Sequence, residues 1–169
     1  MEKIDYLHGT DKTISDIKSK GAFLVVKSEV DNRINTMTIG WASFGFMWGK
    51  SIMTVMVRKS RFTYQLVEKA TSFTVSIPED NLGEALSFCG TKSGRDFDKF
   101  KKCNLSIIPA KNVTSPIINI SGIHYECEIV YKSKMNPDFL CKEYKEKNYV
   151  NNDFHTFYFG EIIACYKIN

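Results

Sequence analysis

The sequence predicts a mainly β fold, an antiparallel barrel of six strands with a few short peripheral helices. Three observations lead there. The chain holds 12 Phe and 8 Tyr among 169 residues, and aromatic side chains suit pleated sheets better than helices. Short apolar or alternating runs recur between turn signals. Stretches with helical spacing are few and brief, as expected for helices that decorate a sheet. The length suits one domain over residues 1–169, with no linker. With 43% hydrophobic residues, such a chain builds a core without a metal or disulfide staple.

The elements follow in order. Residues 22–26, after Gly21, form an unbroken apolar run, the pattern of a strand buried on both faces. Asp31-Asn32-Arg33 is a hairpin turn leading into a second strand from Ile34 towards Ala42. Residues 44–50 read as a Gly-rich aromatic loop. In residues 51–58, Ile52, Thr54 and Met56 share one face and Met53, Val55 and Val57 the other, so both faces of this strand are largely covered. Ser60 as N-cap, with Phe62, Leu66 and Ala70 at helical spacing, predicts a helix over residues 60–70. Residues 72–77 form another strand, stopped by Pro78. Asn81 and Glu84 make a capping box for a second helix ending at Gly90, and a third covers residues 96–102. From Ile123 to Lys132 apolar and polar residues alternate, which predicts a half-exposed strand with His124 facing solvent. Residues 134–152 read as a charged surface excursion, and residues 156–166 as a last, largely apolar strand.

Composition excludes several functions. The net charge is +4 with scattered Lys, too mild and dispersed for a nucleic-acid face. No run of about 18 apolar residues is present, and the first residues lack a signal-peptide pattern, so the expectation is a soluble, cytoplasmic protein with no membrane partner. Five Cys, an odd number with no CxxC pair, argue against a zinc site or disulfide framework and for buried or semi-buried thiols in a reducing compartment. The Asn-x-Ser/Thr triplets at Asn104, Asn112 and Asn119 then carry no glycan. Gly45 to Ser51 misses the phosphate-loop pattern, with three residues between its glycines where four are needed and a strand after it. No GxGxxG follows a strand, which argues against a Rossmann site.

Three segments could carry chemistry. In Arg58-Lys59-Ser60-Arg61-Phe62-Thr63 a strand gives way to a helix. Three cations there oppose the helix dipole by about 0.3–1 kcal/mol each when exposed. The arrangement is either a phosphate cradle, with Arg58, Ser60, Arg61 and Thr63 as donors, or a solvated basic turn. Asn35-Thr36-Met37-Thr38 offers polar groups beside an apolar strand wall, suited to a planar heterocycle. Cys89 to Arg95 is rich in small, donor-bearing residues and is either a loop closing over a ligand or a tight connection. His8, His124 and His155 pair with no nucleophile in a local motif; for His155 a structural role is the reading.

NTMTIGW (Asn35–Trp41), VRKSRFT (Val57–Thr63), CGTKSGRDFDKF (Cys89–Phe100) and HTFYFGEI (His155–Ile162) stand in that order along the chain. Together they resemble the flavin reductase-like family, in particular its flavoredoxin branch, over nearly the whole length. The resemblance implies a split barrel that binds FMN as a homodimer, with the flavin near the subunit interface. It implies that Asn35, Thr36, Met37 and Thr38 line the flavin ring. Arg58, Ser60, Arg61 and Thr63 would hold the phosphate, and Gly90 and Ser93 would approach the cofactor. Lys99 would support that loop, while Trp41 and Trp48 would shape the pocket or the dimer surface. Lys59 departs from the family, where many members carry Pro; the turn is less rigid and gains charge.

Three functions fit the resemblance: a flavin reductase using NADH or NADPH as a transient donor, a flavoredoxin-type carrier fed by a redox protein, and a non-catalytic ligand-binding barrel. The cradle argues against the third. Flavin chemistry needs no triad, metal or Rossmann motif, because the cofactor carries the reaction.

Overall fold

The computed structural model describes residues 1–7 and 10–169. His8 lies outside the described residues, and with it the reading of that histidine. In chain order the elements are β1 (Glu2–Lys3), α1 (Thr10–Ser19), β2 (Ala22–Lys27), β3 (Ile34–Ile39), β4 (Ala42–Met47), β5 (Lys50–Arg58), α2 (Phe62–Val67), β6 (Ser72–Pro78), α3 (Gly83–Thr91), α4 (Lys99–Lys102), β7 (Ile107–Ile108), β8 (Ile117–Ile118), β9 (Gly122–Lys134), α5 (Lys142–Asn148) and β10 (His155–Ile168).

One sheet dominates, in the order β3-β2-β6-β9-β10-β5-β4, with β1 added beside β10. All its pairings are antiparallel. The mainly β, antiparallel architecture is the predicted one, with more strands than six. Its curvature comes from the two long strands. The β9–β10 register shifts between Phe159 and Gly160 and again between Ile162 and Ala164, and such bulges bend a ladder. Gly160 is required there: a Cβ would lie 2.6 Å from the Phe73 ring and 2.7 Å from Cys127 Cβ. The ends of the sheet, β3 and β4, are consecutive in the chain yet unpaired with each other. Only Gly40 and Trp41 link them, and this seam makes the barrel split.

The β2 reading is met on both faces. Ala22, Leu24 and Val26 enter the main core with Val55, Phe73 and Tyr125. Phe23 and Val25 enter a smaller one with Leu86, Cys89, Leu105 and Ile118. Fully burying side chains of this size contributes roughly 1.5–3 kcal/mol each. That two-sided burial explains the missing polar alternation.

Several local expectations are corrected. Residues 44–50 are not a loop: Gly45, Phe46 and Met47 pair with Ile52, Ser51 and Lys50. The reversal is a turn at Trp48 (φ 55°) and Gly49 (φ 72°), the two positive φ values a tight hairpin needs. The helix after β5 is shorter than 60–70, and its N-cap is Arg61. Leu82 occupies the N-cap position of α3 with no side-chain cap, and the helix runs past Gly90 to Thr91. The third helix starts at Lys99, with Asp98 accepting from Lys101 N. His124 is fully buried, because residues 109–121 cover that side of β9. Glu126, also fully buried, accepts from Lys111 N and Asn112 N. The His124 Nδ1 lies 2.9 Å from Ser76 Oγ and its Nε2 3.0 Å from the Ile120 carbonyl. Of the cysteines, Cys141 is exposed rather than buried. The excursion after β9 contains a 3₁₀ turn at Pro137–Phe139 and α5. Among the described residues no helix is long and apolar enough to cross a membrane.

Candidate functional site

A cleft runs along the seam and the adjoining strand ends. Its middle is an open pocket of about 170 Å³. The wall comes from Met37, Thr38 and Ile39 of β3, from Gly40 and Trp41 of the link, from Met56 and Arg58 of β5, and from Arg61 and His155. One end is a recess of about 120 Å³ between the α2 start and the α3–α4 connection, sharing Met37 and Arg61 with the middle. The other end is a more apolar hollow of about 330 Å³ between α1 and the seam, sharing Gly40, Trp41 and Met56.

The recess is cationic. Arg61, Lys92, Arg95 and Lys99 line it and Arg58 stands next to it in the middle pocket, with no carboxylate in either lining. Arg61 donates to the Gly90 carbonyl at 2.8 Å. Arg95 lies over the Phe62 ring, 5.5 Å from its centroid, and donates to the Ser60 carbonyl. Lys99 is 4% exposed; its Nζ donates to the Thr36 carbonyl at 3.0 Å and the Cys89 carbonyl at 2.7 Å. Burial pushes its pKa below the ordinary lysine value. Asn35, also 4% exposed, donates from Nδ2 to Thr63 Oγ1 at 2.8 Å. Gly94 lies flat on Asn35 and Phe62: a Cβ would overlap Asn35 Oδ1 and the Phe62 ring. The loop therefore reaches the β3 wall only because residue 94 is glycine.

The opposite wall differs. Arg58 donates to the carbonyls of Asp153 and Asn148 at 2.7 and 3.0 Å and lies 4.8 Å from the Tyr149 ring centroid. The Asp153 carboxylate accepts from Ser60 N and, at 2.5 Å, from Ser60 Oγ. His155 is 8% exposed, its Nδ1 lies 2.7 Å from the Tyr149 hydroxyl, and its ring lies 5.3 Å from that of Trp41. Burial, then the charge of Arg58, pushes its pKa down to about 4, so the ring is neutral near pH 7.

The sequence-predicted residues thus divide. Met37, Thr38, Arg58, Ser60, Arg61, Thr63, Ser93 and Lys99 line the middle pocket or the recess. Asn35 and Thr36 stand behind the β3 wall: the Asn35 side chain is committed to Thr63, and Thr36 is fully buried. Gly90 packs against Thr38, where an added Cβ would sit 3.2 Å from the Thr38 Cβ. Ser60 does not cap α2, which has no side-chain cap; it is held by Asp153. Arg95, Asp153 and Tyr149 escaped sequence reading. Arg95 stands in a quoted motif and its charge was the available signal, whereas nothing local marks Asp153 or Tyr149.

The donor set fits a planar ligand with an anionic tail: four cations at one end with Arg58 beside them, and apolar and aromatic groups along the middle and the other end. Among the described residues no group of three or more His, Cys, Asp or Glu is placed to hold a metal.

Comparison with known proteins gives the fold and the family. The flavoredoxin of Methanosarcina acetivorans superposes with a TM-score of 0.68 at 24% identity, covering 89% of this chain and 69% of that one. The flavoredoxin of Desulfovibrio vulgaris gives 0.68 at 23%, over 89% and 70%. Component B of nitrilotriacetate monooxygenase from Bacillus cereus gives 0.68 at 11%, over 100% and 82%. These likenesses show the fold. An uncharacterized protein of Archaeoglobus fulgidus is 27% identical over 129 residues; the match covers 76% of this chain and 63% of that relative, so the chain spans less than two thirds of its length. The profile described as "Flavin reductase like domain" matches residues 19–169, and the chain belongs to that family.

Proposed function

We propose that this chain is an FMN-binding oxidoreductase, working as a flavin reductase with NADH or NADPH as a transient donor. The observation that carries the reading is the continuous cleft, cationic and carboxylate-free in its linings at one end and flat-walled in the middle. Arg61, Ser93, Arg95 and Thr63 would hold the phosphate, and Met37, Thr38, Trp41 and His155 would border the ring. When bound, the flavin supplies the hydride-accepting chemistry. The chain's own work is to bind, to orient and to keep the ring against apolar walls. The apolar hollow beside Trp41 and Phe157 gives a second flat molecule room next to the middle pocket.

A flavoredoxin-type carrier is the second reading, favoured by the likeness to two flavoredoxins. A homodimer belongs to the proposal. Phe46, Trp48 and Tyr131 are 71%, 64% and 51% exposed, and Trp48 forms an aromatic cluster with Tyr131 and Phe159 on the sheet. Exposed apolar surface of this kind marks an association site.

Titration with FMN tests the binding. The protein should acquire the two absorption bands of a bound flavin, and Arg61→Glu should abolish retention while far-UV circular dichroism is unchanged. A colourless wild type under saturating FMN sinks the proposal. Rapid mixing with NADH and NADPH then separates the readings: flavin bleaching within seconds marks the reductase, and its absence the carrier.

A further inference from the structure

We propose that Cys89 and Cys103 form a redox-modification site, closing to an intramolecular disulfide that staples the loop around the cationic recess when the protein meets a low-molecular-weight disulfide. Cys89 lies in the last turn of α3 and Cys103 directly follows α4. Their Sγ atoms are 3.9 Å apart. Both face the small core of Phe23, Val25, Leu86 and Leu105, so their side chains converge. A disulfide requires about 2.05 Å, an approach of roughly 2 Å. The backbone is already held for it, because Lys99 Nζ ties the Cys89 carbonyl to the start of α4.

The two thiols differ in access. Cys103 is half-buried, whereas Cys89 is 1% exposed. Burial and the neighbouring Cys103 push the Cys89 thiol up to about 12, with the Lys99 charge only partly offsetting this. Cys103 therefore reacts first. Its thiolate attacks one sulfur of the reagent, forming a mixed disulfide and releasing one reagent thiolate. Cys89 then loses its proton and displaces the second reagent thiolate from Cys103, closing the Cys89–Cys103 bond. The protein gives up two electrons and two protons, and the reagent is reduced to two thiols. Cys89 is a poor nucleophile in isolation, but fixed proximity makes the second step effectively unimolecular.

The segment enclosed by the staple carries Gly90, Ser93, Gly94, Arg95 and Lys99, one whole side of the recess. Closing it restrains the local opening through which that side would let an anion leave. The consequence for flavin release rests on the proposed function; the staple itself does not.

The experiment uses the full chain carrying Cys141→Ser, which removes the exposed thiol outside the cleft. Incubation with glutathione disulfide should lower the intact mass by two hydrogens and yield one cross-linked peptide pair containing Cys89 and Cys103. Trypsin cleavage after Lys92 and Arg95 should slow by roughly tenfold, since cleavage there needs local opening. FMN dissociation should slow by a similar factor, and dithiothreitol or Cys103→Ser should reverse or prevent all of these effects. A lasting glutathione adduct on Cys103, no modification, or a closed disulfide with unchanged cleavage overturns the proposal. Slower cleavage in a protein that never binds FMN upholds the staple and sinks the flavin reading. Slower cleavage with an unchanged FMN off-rate overturns the control of release.

Discussion

The two walls of the cleft are held in different ways. The β3–α3 wall is braced from behind by Lys99 and Asn35, both buried, each spending its donors on internal acceptors. The wall formed by residues 148–155 is held within by the buried Tyr149–His155 bond and half-buried Arg58 reaching two carbonyls, and at its rim by an Asp153–Ser60 contact open to water. Buried polar bonds are costly to break because the groups left behind cannot turn to water. Rim contacts exchange with solvent at little cost. The first wall is thus a fixed template, and the second a strap tied in part at the rim, where water can replace its contacts.

The largest effect should come from the template. Lys99→Met strands the Thr36 and Cys89 carbonyls and should destabilise the fold by roughly 2–4 kcal/mol, read by urea unfolding. A loss below about 0.5 kcal/mol would mean that the brace is ornamental. Next comes Arg61→Ala, which removes a charged donor from the recess. FMN affinity should fall roughly 10–100-fold with unfolding little changed, as measured by fluorescence titration. An equal loss of stability would make Arg61 part of the brace instead.

The strap should answer to pH. His155 has its folded pKa depressed to about 4, below the ordinary value near 6.5. Its contribution is therefore complete above pH 6.5 and lost as pH falls towards 4, because the unfolded chain takes up the proton first. Unfolding midpoints of wild type and His155→Gln should converge over that window; parallel curves would show that the fold leaves the His155 pKa unshifted. The smallest effect is expected from Asp153→Ala. Freeing Ser60 at the rim should cost under about 1 kcal/mol, and a larger drop would erase the distinction between the walls.

The strands with strong patterns were legible. Residues 22–26 announced a two-sided burial that β2 shows, and Pro78 marked the end of β6. The hairpin at Trp48-Gly49 was not, since a strand built from Phe, Gly and Phe carries no period-2 contrast. His124 was misplaced because alternation shows that two faces differ, not that the polar one is wet; residues 109–121 supplied a polar lid. At the site, charge located Arg58, Arg61 and the recess. It could not show that Arg58 and Ser60 answer to residues 148–153, some 90 positions away. Long-range pairings of this sort leave no local mark.

Gly40 stands in the two-residue link between β3 and β4. A Cβ placed there meets nothing within 4 Å, and the link it forms with Trp41 belongs to no strand. The cleft lining thus has room for a side chain at a point where no hydrogen-bond register is at stake. A side chain at this joint would project into the space of the cleft without asking the sheet to re-pair, so its shape there can change at little expense to the fold.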